Sequence, residues 1–245
     1  MSRVWVILKR LGKVIKFLFV CLVLTVCVFM GWRIFSTGIP SDIKTLIPDD
    51  ELREAYAEKG DDLYIFEQKY DDITRAERNS GYFAVPEAVF IPEIDQAQIV
   101  FRYNNSTIRR VAEDLKLETV PDRDQKLFDV SLVFYIDLTP EDDTDNDDLS
   151  SAGLKKIRVK PSAEKCERTT LYNFYRYSFD LEDAEEPIDM SALMEEGILI
   201  AVHAEFYFGD EPNYEETPYG ALSLYYHQRT NYDVKLSSKD KKALE

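Results

Sequence analysis

Residues 127–138 read LFDVSLVFYIDL. Phe128, Val130, Leu132, Phe134, Ile136 and Leu138 fall on every second position, and Asp129, Ser131, Val133, Tyr135 and Asp137 fill the gaps. A period of two places each set on one side of a pleated strand, so this stretch is a strand with one buried face. Residues 198–208, ILIAVHAEFYF, repeat the pattern, with Ile198, Ile200, Val202, Ala204, Phe206 and Phe208 on the apolar side. These are the two longest apolar faces in the chain. They predict two central strands, with Phe134 and Val202 in one core.

Working outward, residues 154–159 are the expected hairpin partner of the first strand, across a polar loop at 139–153. Residues 97–104 alternate Ala97, Ile99, Phe101 and Tyr103 against Gln98, Arg102 and Asn104, with Val100 as the exception. Residues 169–181 place Leu171, Tyr175, Tyr177, Phe179 and Leu181 on one face, interrupted by Asn173. Residues 82–85 and 88–91 read as two extended pieces around prolines, and residues 219–227 and 232–236 close the domain. Residues 106–115 and 187–197 read as short helical insertions. About eight strands at hairpin spacing predict a mainly β fold, an antiparallel two-sheet sandwich. It lacks the immunoglobulin marks, because no cysteine pair and no tryptophan follow Trp32.

Before residue 81 the period changes. Pro48 followed by Asp49, Asp50 and Glu51 starts a helix, with acids complementing its dipole, and Lys59-Gly60 ends it. Leu63, Phe66, Tyr70 and Ile73 then recur at helical spacing up to the break at Asn79-Ser80-Gly81. Residues 49–80 are therefore expected to be a short helical pair packing on the β domain. Residues 36–48, bracketed by Pro40 and Pro48, read as a linker.

Residues 14–35, VIKFLFVCLVLTVCVFMGWRIF, are apolar but for Lys16 and Arg33. A span needs roughly 20 apolar residues, and long cationic side chains near its ends can snorkel to the headgroups. A cleaved signal peptide would need small residues at the exit, where Phe29, Met30, Gly31, Trp32 and Arg33 stand. Neither Cys21 nor Cys27 follows the small residue that precedes a lipidated cysteine, and flanking charges fit a buried core helix poorly. An uncleaved transmembrane signal anchor is expected. Arg3, Lys9, Arg10, Lys13 and Lys16 precede it without any acid, which places the N-terminus in the cytoplasm and the bulk outside. The predicted order is a basic cytoplasmic stub (1–13), the anchor (14–35), a juxtamembrane linker (36–48), the helical pair (49–80), the sandwich ectodomain (81–237) and a charged tail (238–245). The implied location is the plasma membrane, single-pass, with an extracytoplasmic C-terminal domain.

The net charge of −16 conceals an asymmetry. The first 33 residues hold six of the 30 bases and none of the 46 acids, so the remainder carries 24 bases against 46 acids, a charge of −22. Such a surface repels phosphate and argues against nucleic-acid partners. Of three cysteines, Cys21 and Cys27 lie in the apolar stretch, so Cys166 has no partner for an internal disulfide in the outer domain. It reads as a buried small hydrophobe, with a free or intermolecular thiol as the alternative.

The segments FRYNNSTI (101–108), LYNFYRYSFDL (171–181) and EETPYGALSLYY (215–226), behind a signal anchor, resemble a family of single-pass envelope proteins of Gram-positive bacteria. The resemblance implies a bacterial envelope and carries no activity with it. In that setting the overlapping sequons at Asn104-Asn105-Ser106-Thr107 read as a turn.

Candidate chemistry is sparse. Asp143-x-Asp145-x-Asp147, within the acidic run 141–148, has the alternation of a calcium loop. Asp148 stands at the glycine position, however, and Leu154 where a bidentate glutamate belongs. A solvated hairpin loop is the preferred reading. His203 and Glu205 share a strand face, and His227 is the second of two histidines, so the three form a zinc triad only if their strands meet. Tyr172, Tyr175, Tyr177, Tyr225 and Tyr226 suit either glycan and peptide binding or a sandwich core, and the structural role is preferred. There is no G-x-S-x-G, H-E-x-x-H, phosphate loop or G-x-G-x-x-G. No cofactor, metal or catalytic residue is expected. The resulting expectation is a non-catalytic, membrane-tethered binding or scaffolding module with an envelope protein or glycan as ligand. The alternative is an envelope hydrolase or metal-dependent enzyme using His203, Glu205 and His227.

Overall fold

A computed structural model describes residues 3–68, 83–137, 154–196, 200–210, 212–224, 232–233 and 235–245. The chain divides into two units, residues 1–38 and 39–245. The first is one helix, α1 (Arg3–Thr37). Its stretch Lys13–Trp32 has a mean hydropathy of 2.6 and no buried side chain, so by length and composition it can cross a membrane.

The second unit is mainly β. Its elements are α2 (Ser41–Lys44), α3 (Asp50–Lys59), β1 (Phe66–Gln68), β2 (Phe83–Ile91), β3 (Gln96–Asn104), α4 (Thr107–Asp114), β4 (Phe128–Asp137), β5 (Leu154–Val159), β6 (Ala163–Arg168), β7 (Tyr172–Asp180), α5 (Met190–Glu195), β8 (Ile200–Phe208), β9 (Gly220–Leu224), β10 (Tyr232–Asp233) and α6 (Ser238–Leu244). Two antiparallel sheets result, one in the order β10-β1-β2-β3-β7-β6 and one in the order β5-β4-β8-β9.

Phe134 pairs directly with Val202 and Ile157, and all three are buried. Side chains of both sheets meet in one buried cluster. Phe83 of β2 stacks on Phe206 of β8 at 4.5 Å and meets Phe128 of β4 edge-on at 5.2 Å. Offset and edge-to-face rings of this kind add attraction beyond the area they bury.

The two extended pieces expected around Pro86 form a single strand, β2, with a bulge between Ala84 and Glu87. Proline has no N–H for the ladder, so the extra residue falls there. The bulge changes which parity faces the core. Phe83 and Val85 point in before it, and Ala88 and Phe90 after it. Glu87 and Val89 are thereby turned to the other face.

That outer face is covered by segments read from sequence as peripheral. Residues 39–48 do not form a free linker. Ile43 is buried against Val100 and Phe174, and Leu46 against Leu52, Val89 and Leu244. The Gln98 side chain accepts from Ile47 N and donates to Ile47 O, each at 2.9 Å. The apparent exception Val100 is explained by this cover, because β3 is buried on both faces. The C-terminal tail is the helix α6, with a capping box at Ser237 and Asp240. Leu244 is buried, and Asp240 Oδ1 accepts from Leu46 N at 2.8 Å.

Two further expectations differ. The predicted second helix of the N-terminal pair is not found at its start: Phe66–Gln68 is a strand between β2 and β10. Phe66 stacks on Phe90 at 5.1 Å, and sheet pairing overrides a helical spacing of only a few residues. Tyr70 and Ile73 lie outside the described residues. The strand β6 was missed because AEKCER has no apolar alternation, and an edge strand needs none. Cys166, on that strand, is exposed rather than buried.

Candidate functional site

His203 and Glu205 point outward from β8, the central partner of β4. Register sets Val133 beside His203 and Ser131 beside Glu205, with Arg158 of β5 beside Val133. The imidazole of His203 packs against the Tyr135 ring at 4.7 Å, and its Nε2 lies 3.4 Å from Ser223 Oγ. Glu205 is buried and fully engaged. Its Oε2 accepts from Arg158 at 2.8 Å and from the Tyr207 hydroxyl at 2.7 Å, and Lys156 lies 3.8 Å from Oε1. Burial pushes the Glu205 carboxyl up, but the Tyr207 and Arg158 hydrogen bonds and the Lys156 charge outweigh it and hold it below the ordinary value. A carboxylate held below its ordinary value is a weaker proton acceptor than a free one.

The network extends to the segment that follows β8. The Tyr214 ring meets Tyr207 edge-on at 5.1 Å, its carbonyl accepts from Arg158, and its hydroxyl donates to Asp129 Oδ2 at 2.7 Å. Burial and the bond to Glu205 push Tyr207 up to about 12. This face is a hydrogen-bonded seal on the second sheet. His227 lies outside the described residues, so of the proposed triad the structure describes His203 and Glu205, which share a strand face but have different partners. Among the described residues, no three histidine, cysteine or acidic side chains are grouped to hold a metal ion. The acidic run 141–148 also lies outside them.

The tyrosines divide in the same way. Tyr103, Tyr175 and Tyr177 stack in sequence, with ring centroids 6.0 Å apart at each step, inside the core. Burial raises Tyr175 and Tyr177 above the ordinary phenol value. Tyr172 is half-buried, with the Arg102 guanidinium 4.7 Å from its ring centre. Tyr225 and Tyr226 lie outside the described residues.

Sequence reasoning did not find a cleft of about 360 Å³ on the outer face of the larger sheet. Leu46, Ile65, Val89 and Leu236 supply apolar lining, and Lys44, Lys235 and Lys239 stand around it. Behind it, Glu87, Val100, Arg176 and Lys165 lie in one row across β2, β3, β7 and β6. Arg176 is fully buried. It pairs with Glu87 and donates through Nε to Ile43 O at 2.6 Å and through a terminal nitrogen to Lys44 O at 3.1 Å. Glu87 and Asp240 both line the cleft, and both carboxylates are engaged from within. The lysines around the cleft stand out in a domain of strongly negative charge. The arrangement suits reversible binding of a small amphipathic group with an anionic end. No short motif announces it, because its walls come from residues 41–46, 65, 87–89 and 235–240.

No family model, curated protein or solved structure matches the chain.

Proposed function

We propose that the chain is a single-pass membrane protein whose β domain, a two-sheet sandwich, is a non-catalytic extracytoplasmic binding or scaffolding module. The observation that carries the reading is the apolar stretch Lys13–Trp32, none of it buried, preceding in sequence a unit that buries its own core. An exposed run of this length has no stable place in water. The basic residues before it orient the β domain outward. A bacterial surface is part of the proposal and rests on the sequence segments 101–108, 171–181 and 215–226 alone. The binding reading is supported by the cleft beside Lys44, Lys235 and Lys239, an envelope component with an anionic group being the suited ligand. The hydrolase alternative draws less support, since Glu205 is committed to Arg158 and Tyr207.

Alkaline carbonate extraction and protease treatment of intact cells test the tether. The full chain is expected to stay in the membrane pellet, to lose residues 39–245 to external protease, and to retain peptides from residues 1–13. A soluble mature form starting near residue 38 overturns the proposal.

A further inference from the structure

The open edge of the larger sheet carries a charge order with a symmetry of its own. Among the described residues β6 pairs only with β7 and ends the sheet. Its sequence from Glu164 is Glu, Lys, Cys, Glu, Arg. Thr169 N donates to Tyr172 O at 2.8 Å. Hydrogen bonding alternates along an antiparallel ladder, so residues 163, 165 and 167 also turn their backbone groups toward β7. Glu164, Cys166 and Arg168 turn theirs to the open side, and all three are exposed.

A second copy of β6 laid antiparallel on this edge must pair outward-facing residues with outward-facing residues. Centring the two-fold axis on Cys166 sets Glu164 opposite Arg168 of the second copy on one face, and Lys165 opposite Glu167 on the other. Each charged residue then meets its opposite, twice over by symmetry. Shifting the register by one ladder step in one direction sets Lys165 on Lys165, and in the other Glu167 on Glu167. Opposite charges across strands attract and like charges repel, so one register is selected and its neighbours are excluded. This edge is self-complementary, as an isologous interface requires.

We infer that β6 is a homodimer interface, in which two copies of the domain join their larger sheets edge to edge with Cys166 on the two-fold axis. Cys166 is then the reporter of register, since a residue on the axis faces its own copy.

The test uses the full chain in detergent micelles and in native membranes, with Cys21 and Cys27 changed to Ser so that Cys166 is the one thiol. A short bis-maleimide is expected to convert most of the protein to a covalent dimer. Glu164→Arg places Arg against Arg168 and should reduce the yield at least tenfold. Arg168→Glu should do the same, and the double variant Glu164→Arg/Arg168→Glu should restore it. Glu164 also meets Lys126, and the half-buried Lys165 donates to Thr45 O, within the same chain, so Lys165→Glu and the swap Lys165→Glu/Glu167→Lys repeat the test on the other face, with circular dichroism checking that each variant is folded. A cross-link yield unaffected by single reversals, loss not recovered by either swap, a monomer in micelles and membranes alike, or capture of a different protein at Cys166 would each overturn the inference.

Discussion

Replacing Arg176 by Met tests how residues 39–48 are held. Arg176 is 0% exposed and the Glu87 side chain 18% exposed, so the substitution strands a carboxylate with little water to replace its partner. Removing one member of a buried ion pair typically costs about 3–5 kcal/mol. Partial access of water to Glu87 moves the expectation to the lower end. The carbonyls of Ile43 and Lys44 lose their donors as well, at about 1–3 kcal/mol each if they stay dry. They need not stay dry, because the segment can lift away. Lifting exposes Ile43, which is 1% exposed and worth about 1.5–3 kcal/mol buried, and that limits the loss. A destabilisation of about 3–4 kcal/mol follows, a large share of the roughly 5–15 kcal/mol of a domain. Urea unfolding of the full chain in micelles, followed by circular dichroism, measures it, and hydrogen exchange should rise first in residues 39–48. Arg176→Met/Glu87→Leu removes both charges and should be less damaged than Arg176→Met alone. A loss under about 1 kcal/mol, or unchanged exchange in residues 39–48, refutes the reasoning.

Phe134→Ala should cost about 3–5 kcal/mol through lost transfer energy and a cavity, and Tyr135→Ala, on the half-buried outer face, distinctly less; the reverse order in denaturant midpoints means that the assigned register of β4 is wrong. Gly220 lies opposite Phe206, and a Cβ there would strike its ring, so Gly220→Ala should cost about 1–3 kcal/mol by overpacking, read as a lowered thermal midpoint. Glu205 is held below its ordinary value, so its stabilisation is fully present above about pH 4.5 and is lost as pH falls through the lower folded value. Glu205→Gln should therefore weaken the fold at pH 7 by about 1.5–3 kcal/mol, the worth of hydrogen bonds to a charged group, and flatten its decline in acid; an unchanged acid limb in urea titrations at several pH values counts against the network.

The strands of the smaller sheet were legible because their apolar side chains recur at every second residue, although Ser131, Val133 and Glu205 on the opposite face are buried as well. LFDVSLVFYIDL and ILIAVHAEFYF carry that period, and Phe134 does meet Val202. The apolar helix was legible for a similar reason, since length and composition alone define it. The placement of Cys166 was not legible, because an edge strand is held by its neighbour's backbone and leaves no apolar signature. Nor was the cleft, because it depends on where residues 41–46 and 235–240 come to rest. Those segments are short, polar and framed by proline or charge, so locally they read as linker and tail. Their docking rests on Arg176, Gln98 and Asp240, groups far away in sequence whose burial only the fold creates. Local periodicity records which face of an element is dry. Which distant segment keeps it dry is decided by tertiary contacts that leave no trace in the order of neighbouring residues.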